Sequence, residues 1–180
     1  NILEAARERI TWTLNTLPRV CVSFSGGKDS GLMLHLTAEL ARQMGKKICV
    51  LFIDWEAQFS CTINYVQSLR ELYTDVIEEF YWGAVPLTTQ NSLSQYRPEW
   101  QDAITDPDFF SFYQPGMTFE QFVREFAEWF SQKRPAAMMI GIRADESYNR
   151  FVAIASLNKQ RFADDKPWTT AAPGGHSWYI

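Results

Sequence analysis

The sequence has few of the residues that metal centres and disulfide frameworks require. Its 180 residues include three cysteines, Cys21, Cys49 and Cys61, and two histidines, His35 and His176. The cysteines are odd in number, widely spaced and form no CxxC pair, so no disulfide framework is predicted. A zinc site is not expected, and an iron–sulfur cluster held by four cysteines is excluded within this chain. This cysteine usage is typical of a reducing compartment, so we expect a cytoplasmic location.

Long apolar runs and an excess of positive charge are also missing. No run approaches the roughly 20 residues that a membrane span needs, and no signal peptide is recognisable, so no membrane partner is expected. The chain has 17 Lys and Arg against 21 Asp and Glu, which gives a net charge of -4. That balance argues against a broadly basic nucleic-acid surface.

The apolar content is high enough for one packed domain. Hydrophobic residues make up 46% of the chain, which at this length supports a single core. The chain begins with Asn1 rather than Met and ends in the apolar string HSWYI, which resembles the start of a strand. We therefore expect residues 1–180 to form one domain that is a fragment of a longer chain.

Apolar periodicity predicts helices and strands that alternate along the chain. Helices are predicted at residues 2–16, 31–44, 60 to about 73, after Thr118, and 145–157. Strands are predicted at residues 20–24, 48–53, 76–82 and 136–140. The stretch 83–117 reads as irregular and 158–180 as loop-like. The alternation predicts an α/β fold with three layers, in which helices cover both faces of a doubly wound, mostly parallel sheet.

The string Ser25-Gly26-Gly27-Lys28-Asp29-Ser30 stands between a buried strand and a helix. In a parallel sheet, ligands bind beyond the carboxyl ends of the strands, where this string lies. Two glycines allow a tight turn with exposed amides, the helix start favours negative charge, and the lysine and the two serine hydroxyls add donors. The string predicts a site for phosphate, pyrophosphate or sulfate; the alternative is an ordinary glycine-rich turn.

Two motifs carry a family resemblance. SFSGGKDS at residues 23–30 resembles the PP-loop of the adenine-nucleotide alpha-hydrolase superfamily. GIRADES at residues 141–147 is similar to the second signature of the phosphoadenosine phosphosulfate (PAPS) reductase family within it. The resemblance covers roughly residues 18–156 and implies a Rossmann-like sheet that binds an adenine nucleotide. It also implies backbone contacts from Ser23 and Phe24 to adenine.

The second motif adds a cation beside the loop. Gly141 allows close backbone approach, and the fork of Arg143 suits bidentate binding of phosphate oxygens. The resemblance implies the same role for Arg143, so Lys28 and Arg143 are candidates for electrostatic stabilisation. Asp145 and Glu146 either cap the next helix or position a metal. Arg150, one turn further on, either contacts the ligand or forms a surface ion pair.

Three further features have two interpretations each. Asp54 could accept hydrogen bonds from ribose hydroxyls and Trp55 could stack on adenine, or both belong to a solvated loop. Cys61 follows the second strand on the ligand side and is a candidate functional thiol, whereas Cys21 and Cys49 fall in buried strands. The aromatic-rich stretch 83–117 is either a partner surface or a lid or packed satellite core.

The resemblance implies an oxidoreductase or a transferase of sulfur and nucleotide chemistry. In PAPS reductases a cysteine thiolate attacks the sulfur of PAPS or APS, and thioredoxin or glutaredoxin resolves the adduct. The family's nucleophile lies in a C-terminal cysteine-containing tail, which this sequence does not include.

Two alternatives remain open. One is an ATP-dependent adenylating or sulfur-inserting enzyme, in which the loop and Mg²⁺ stabilise the leaving pyrophosphate. The other is a non-catalytic nucleotide-binding co-activator of gene expression with a ParB-like partner.

Overall fold

Helices and strands alternate along the chain in the order that the periodicity predicts. The computed structural model describes residues 1–54, 58–90, 95–96, 109–142, 148, 151–152, 160–162, 166–172 and 174–180. The helices are α1 (Ile2–Thr16), α2 (Lys28–Gln43), α3 (Ser60–Leu72) and α4 (Phe119–Ser131). The strands are β1 (Arg19–Ser23), β2 (Ile48–Ile53), β3 (Ile77–Gly83), β4 (Thr89–Gln90), β5 (Gln95–Tyr96), β6 (Ala136–Ile140), β7 (Thr170–Ala171) and β8 (Ser177–Tyr179).

The main sheet has six strands in the order β3-β2-β1-β6-β8-β7. All neighbours run parallel except β7, which is antiparallel to β8. The chain passes from β1 outwards to β2 and β3, and then returns to β6 on the other side of β1. This reversal of direction makes the sheet doubly wound, so the predicted α/β class and strand direction are confirmed.

Alternate residues of the strands enter two separate cores. On one face, Val22 and Val50 pack with buried side chains of α1, α2 and α3, such as Leu14 and Leu34. On the other face, the strands pack against α4 and the aromatic segment 109–113, with Phe110 only 1% exposed. Both faces of the sheet are therefore covered, and the described residues Val85, Leu87 and Phe110 of the stretch 83–117 pack into the second core.

Helix α4 could be predicted from its sequence because it has a capping box and regularly spaced aromatic residues. The Gln121 amide donates to the Thr118 hydroxyl at 3.2 Å, and the Thr118 amide donates to the Gln121 side-chain oxygen at 2.9 Å. This reciprocal capping box satisfies two amides at the helix start. Phe122, Phe126 and Phe130 then recur every four residues and are each buried in the second core.

Two predictions about element bounds were wrong. Residues 158–180 are not simply loop-like, because β7 and β8 lie within them and extend the sheet beyond β6. Helix α2 begins at Lys28, three residues before the predicted start at Gly31, because the loop string already provides its first turn. The predicted helix at 145–157 lies largely outside the described residues.

The two borders of the described main sheet differ in character. β3 carries the exposed residues Glu78 and Glu79 in its first half. β7 contributes only two residues at the opposite border. No helix in the described ranges combines the length and apolar character that crossing a bilayer requires.

Candidate functional site

The loop Ser25–Ser30 lies where the winding of the sheet reverses. It follows β1, and Ser23 at the end of β1 is aligned with Ile140 at the end of β6. Gly141 therefore leaves the sheet beside the loop. In open α/β sheets this crevice, outside the carboxyl ends of the strands, is where ligands bind.

The two serine hydroxyls form hydrogen bonds within the loop. The Ser25 and Ser30 hydroxyls lie 2.9 Å apart, and the Ser30 Oγ accepts from the Ser25 amide at 3.2 Å. The Ser30 hydroxyl also donates to the Gly27 carbonyl at 3.2 Å. Ser30 is buried, so its contribution is to fix the shape of the turn before any ligand is present.

The start of α2 forms the anion-binding part of the loop. Gly27 is the N-cap residue and provides no side-chain hydrogen bond to the helix. Amides in the first turn of a helix have no intrahelical acceptor and carry the positive end of the dipole. Lys28 is exposed at this helix start. An oxyanion at this position would therefore meet backbone donors and a mobile ammonium group.

Two glycines allow the loop to pack closely on its neighbours. Gly26 has a φ of +76°, and a Cβ there would lie 2.6 Å from the Thr62 methyl carbon of α3. A Cβ on Gly141 would lie 3.4 Å from both the amide nitrogen and the Cα of Ser30. The crevice is consequently closed in by α3 on one side and by the end of β6 on the other.

Asp54 lies at the end of β2, next to the loop strand, and is buried. Its Oδ2 accepts a hydrogen bond from the Trp82 indole nitrogen at 2.8 Å. Burial raises the pKa of Asp54, and the hydrogen bond from Trp82 opposes this effect only in part. The predicted role in binding ribose would use the acceptor sites that the bond from Trp82 leaves available. Nothing in the sequence pattern indicated Trp82, since its partner lies on a different strand.

Phe24 offers less to a ligand than the resemblance implies. Its amide donates to the Leu51 carbonyl at 2.8 Å, and its ring is 2% exposed in the first core. A backbone contact from Phe24 to adenine would thus have to use its carbonyl oxygen. Ser23 is held in the sheet between Leu51 and Ile140.

The three cysteines have different surroundings. Cys61 is exposed in the first turn of α3, next to the residue that packs on Gly26. Cys21 and Cys49 are buried partners in neighbouring strands. Burial raises the pKa of both strand thiols, that of Cys49 to about 11. Among the cysteines, Cys61 alone is placed for reaction with a molecule in solvent.

Several predicted site residues lie outside the described residues: Trp55, Arg143, Asp145, Glu146 and Arg150. Their roles stay predictions. In the described part of the chain, no group of three His, Cys, Asp or Glu side chains is placed to hold a metal ion.

The fold and loop define a doubly wound α/β domain of the PP-loop class. The chain belongs to the phosphoadenosine phosphosulfate reductase domain family, whose sequence model matches residues 19–163. A curated relative, "Uncharacterized protein YbdN" of Escherichia coli (strain K12), is 91% identical over 194 aligned residues. The match covers 100% of this chain and 48% of the relative, so the chain spans about half of that protein's length.

Solved structures also resemble the chain. Yeast FAD synthetase in complex with FAD is 17% identical with a TM-score of 0.47, covering 99% of this chain and 53% of that one. Candida glabrata FMN adenylyltransferase with ATP is 15% identical with a TM-score of 0.48, covering 99% and 49%. The U34-tRNA thiolase of Methanococcus maripaludis is 18% identical with a TM-score of 0.43, covering 76% and 44%. Similarity at this level carries no information about ligands, whereas family membership supports an adenine-nucleotide site.

Proposed function

We propose that this domain binds an adenine sulfonucleotide through Ser25–Ser30 and acts in sulfonucleotide reduction or a related sulfur or nucleotide transfer. The observation that carries the proposal is the start of α2: a helix without a side-chain cap, preceded by a braced glycine turn and bearing an exposed lysine. Such a helix start binds tetrahedral oxyanions. Membership of the PAPS reductase family supports PAPS or APS as the nucleotide.

Reduction would need a thiolate near the loop. The thiolate would attack the sulfur of the bound sulfonucleotide, the S–O bond would break, and the adenosine phosphate would leave. A thioredoxin or glutaredoxin dithiol would then attack the enzyme-bound thiosulfonate, release sulfite and become a disulfide. Within this chain Cys61 is the candidate, since the two strand thiols are buried with raised pKa values.

A second candidate function is transfer from ATP. The same helix start could stabilise pyrophosphate as it leaves an attacked α-phosphorus. The residues fit a metal poorly on their own, because one oxygen of Asp54 is bound by Trp82 and no carboxylate cluster lies among the described residues. Mg²⁺ would therefore arrive on the nucleotide phosphates, as this ion commonly does.

The deciding experiment is calorimetric titration with PAPS, APS and ATP–Mg²⁺ side by side. Lys28→Ala should lower affinity by at least about tenfold, because it removes a charge-assisted contact to phosphate. The control is Lys47→Ala, since Lys47 precedes β2 at the opposite end of the sheet and donates to the Asp75 carbonyl. Equal affinity in both variants would contradict the proposed site.

Product assays then separate the functions. Release of sulfite from PAPS or APS with a thiol donor, lost in Cys61→Ser, would support reduction. Release of pyrophosphate from ATP would support the transfer reaction. Tight binding with neither product would support a nucleotide-binding regulator.

A further inference from the structure

A second concavity lies beside the loop, on the face of the sheet that carries α1 and α2. Its volume is about 540 Å³, which is in the range of small-molecule sites. Most of its wall is apolar: Ile10, Leu32, Met33, Leu36, Met139 and Ile142 contribute to it. Asp29 and Gly141 also line it. The cleft therefore begins where the nucleotide loop and the end of β6 meet.

The charged side chains of the cleft favour an anion. Among the described residues that line it, Arg9 and Arg161 are cationic and Asp29 is acidic, although the whole chain has a net charge of -4. The Arg9 guanidinium lies 5.9 Å from the centre of the Trp168 ring. Arg161 donates to the Thr169 carbonyl at 2.6 Å and to the Thr170 hydroxyl at 3.0 Å. Arg161 is thus held at the wall, whereas Arg9 is exposed to solvent beside Trp168.

An aromatic cluster braces part of the cleft wall. Trp168 stands edge-on to Trp12 at 4.8 Å between ring centres, and Trp12 stands edge-on to Phe162 at 5.4 Å. Met33 and Met139 also line the cleft, and Met139 is buried, with its sulfur 3.9 Å from the Thr37 hydroxyl oxygen. A braced aromatic wall suits a flat apolar body.

We propose that this cleft binds an organic anion with an apolar body, separately from the nucleotide held by the loop. The apolar walls would cover the body of the molecule, and the two arginines would attract its carboxylate, sulfonate or phosphate group. The proposal goes beyond the proposed nucleotide site, since it concerns a different ligand chemistry in a cleft that, among the described residues, shares only Asp29 and Gly141 with that site.

The test uses two fluorescent probes with similar aromatic bodies, anionic 8-anilinonaphthalene-1-sulfonate and neutral N-phenyl-1-naphthylamine. The cleft variant is Leu32→Gln with Ile142→Gln, whose side chains are 59% and 46% exposed. The control variant is Leu72→Gln with Leu3→Gln, which are 58% and 46% exposed elsewhere. We expect the cleft variant to weaken sulfonate binding about tenfold, because both substitutions remove apolar contact area. Equal affinities in the two variants would overturn the proposal.

A second pair of variants tests the charge. Arg9→Gln should weaken binding of the sulfonate but not of the neutral probe. Its control is Arg70→Gln, since Arg70 also lies over an aromatic ring, 5.5 Å from the centre of Phe80. An unchanged preference for the sulfonate in Arg9→Gln would refute the anion class.

A last variant separates this proposal from the nucleotide site. Lys28→Ala should leave the sulfonate affinity within about twofold while ATP and PAPS affinities fall. Loss of sulfonate binding in Lys28→Ala would place the probe in the loop and overturn the cleft proposal. If Lys28→Ala leaves nucleotide affinity unchanged, and sulfonate binding is lost only in the cleft variant, the nucleotide site is refuted and the cleft is supported.

Discussion

Replacing Gly26 by alanine tests whether the loop depends on close packing against α3. Two costs are expected. A left-handed backbone costs an L-residue about 1–2 kcal/mol, and Gly26 has a φ of +76°. The new Cβ would also lie 2.6 Å from the Thr62 methyl carbon and 3.3 Å from a Val66 methyl carbon. Overpacking of this kind adds about 1–3 kcal/mol, so we expect a loss of about 3 kcal/mol in the free energy of unfolding.

Urea denaturation followed by tryptophan fluorescence measures this loss. Gly45→Ala is the matched control, because Gly45 has a φ of +65° and a Cβ there meets nothing within 4 Å. This variant should show the backbone cost alone. We expect about 1 kcal/mol, because alanine also restricts the unfolded chain, which offsets part of the strain in the folded state. Adding Thr62→Ser to Gly26→Ala removes the clashing methyl and should restore about 1–2 kcal/mol. If Gly26→Ala costs no more than Gly45→Ala, the packing argument is wrong.

Three more results are expected. Because burial raises the pKa of Asp54 above 3.8, the contribution of Asp54 to the free energy of unfolding should fall as pH rises from 3.8 through the native pKa. Asp54→Asn keeps an acceptor for Trp82 and should lose this slope in paired urea titrations. A thiol reagent should modify Cys61 in the native protein and the two buried strand thiols only after denaturation. Phe126→Ala should cost about 3–5 kcal/mol in the same urea assay, whereas Phe109→Ala, with a ring 48% exposed, should cost far less.

Helices and strands could be predicted where the segment itself has a clear sequence pattern. β2 is a continuous apolar run because it is covered on both faces, and α4 has both a capping box and regularly spaced aromatics. β7 carries no such signal, since it is two residues long, and the only signal for the three-residue β8 was the apolar string HSWYI. Their pairing depends on distant partners, as in the bond from the Ala136 amide to the His176 carbonyl at 3.0 Å.

The position of the candidate site could be predicted from the sequence, whereas the hydrogen bonds within it could not. The order of strands alone places Ser25–Ser30 and Gly141 at one edge of the sheet. The bond between the Ser25 and Ser30 hydroxyls and the bond from Trp82 to Asp54 join groups whose spacing is set by the folded backbone. Sequence spacing carries no record of such contacts, so the bonds within the loop were not predicted, and the role of the two serines as ligand donors stays a prediction.

The borders of the main sheet have a consequence for how copies of this chain meet. A bare strand offers a ladder of amides and carbonyls to any other strand, which leads to aggregation. Along β3, a second copy would have to bring its own acidic pair towards Glu78 and Glu79, both of which are exposed. At the β7 border, a strand of another molecule could pair with a segment of only two residues, which is too short for a stable ladder of hydrogen bonds. Both features of the described sheet therefore disfavour its extension by a second copy.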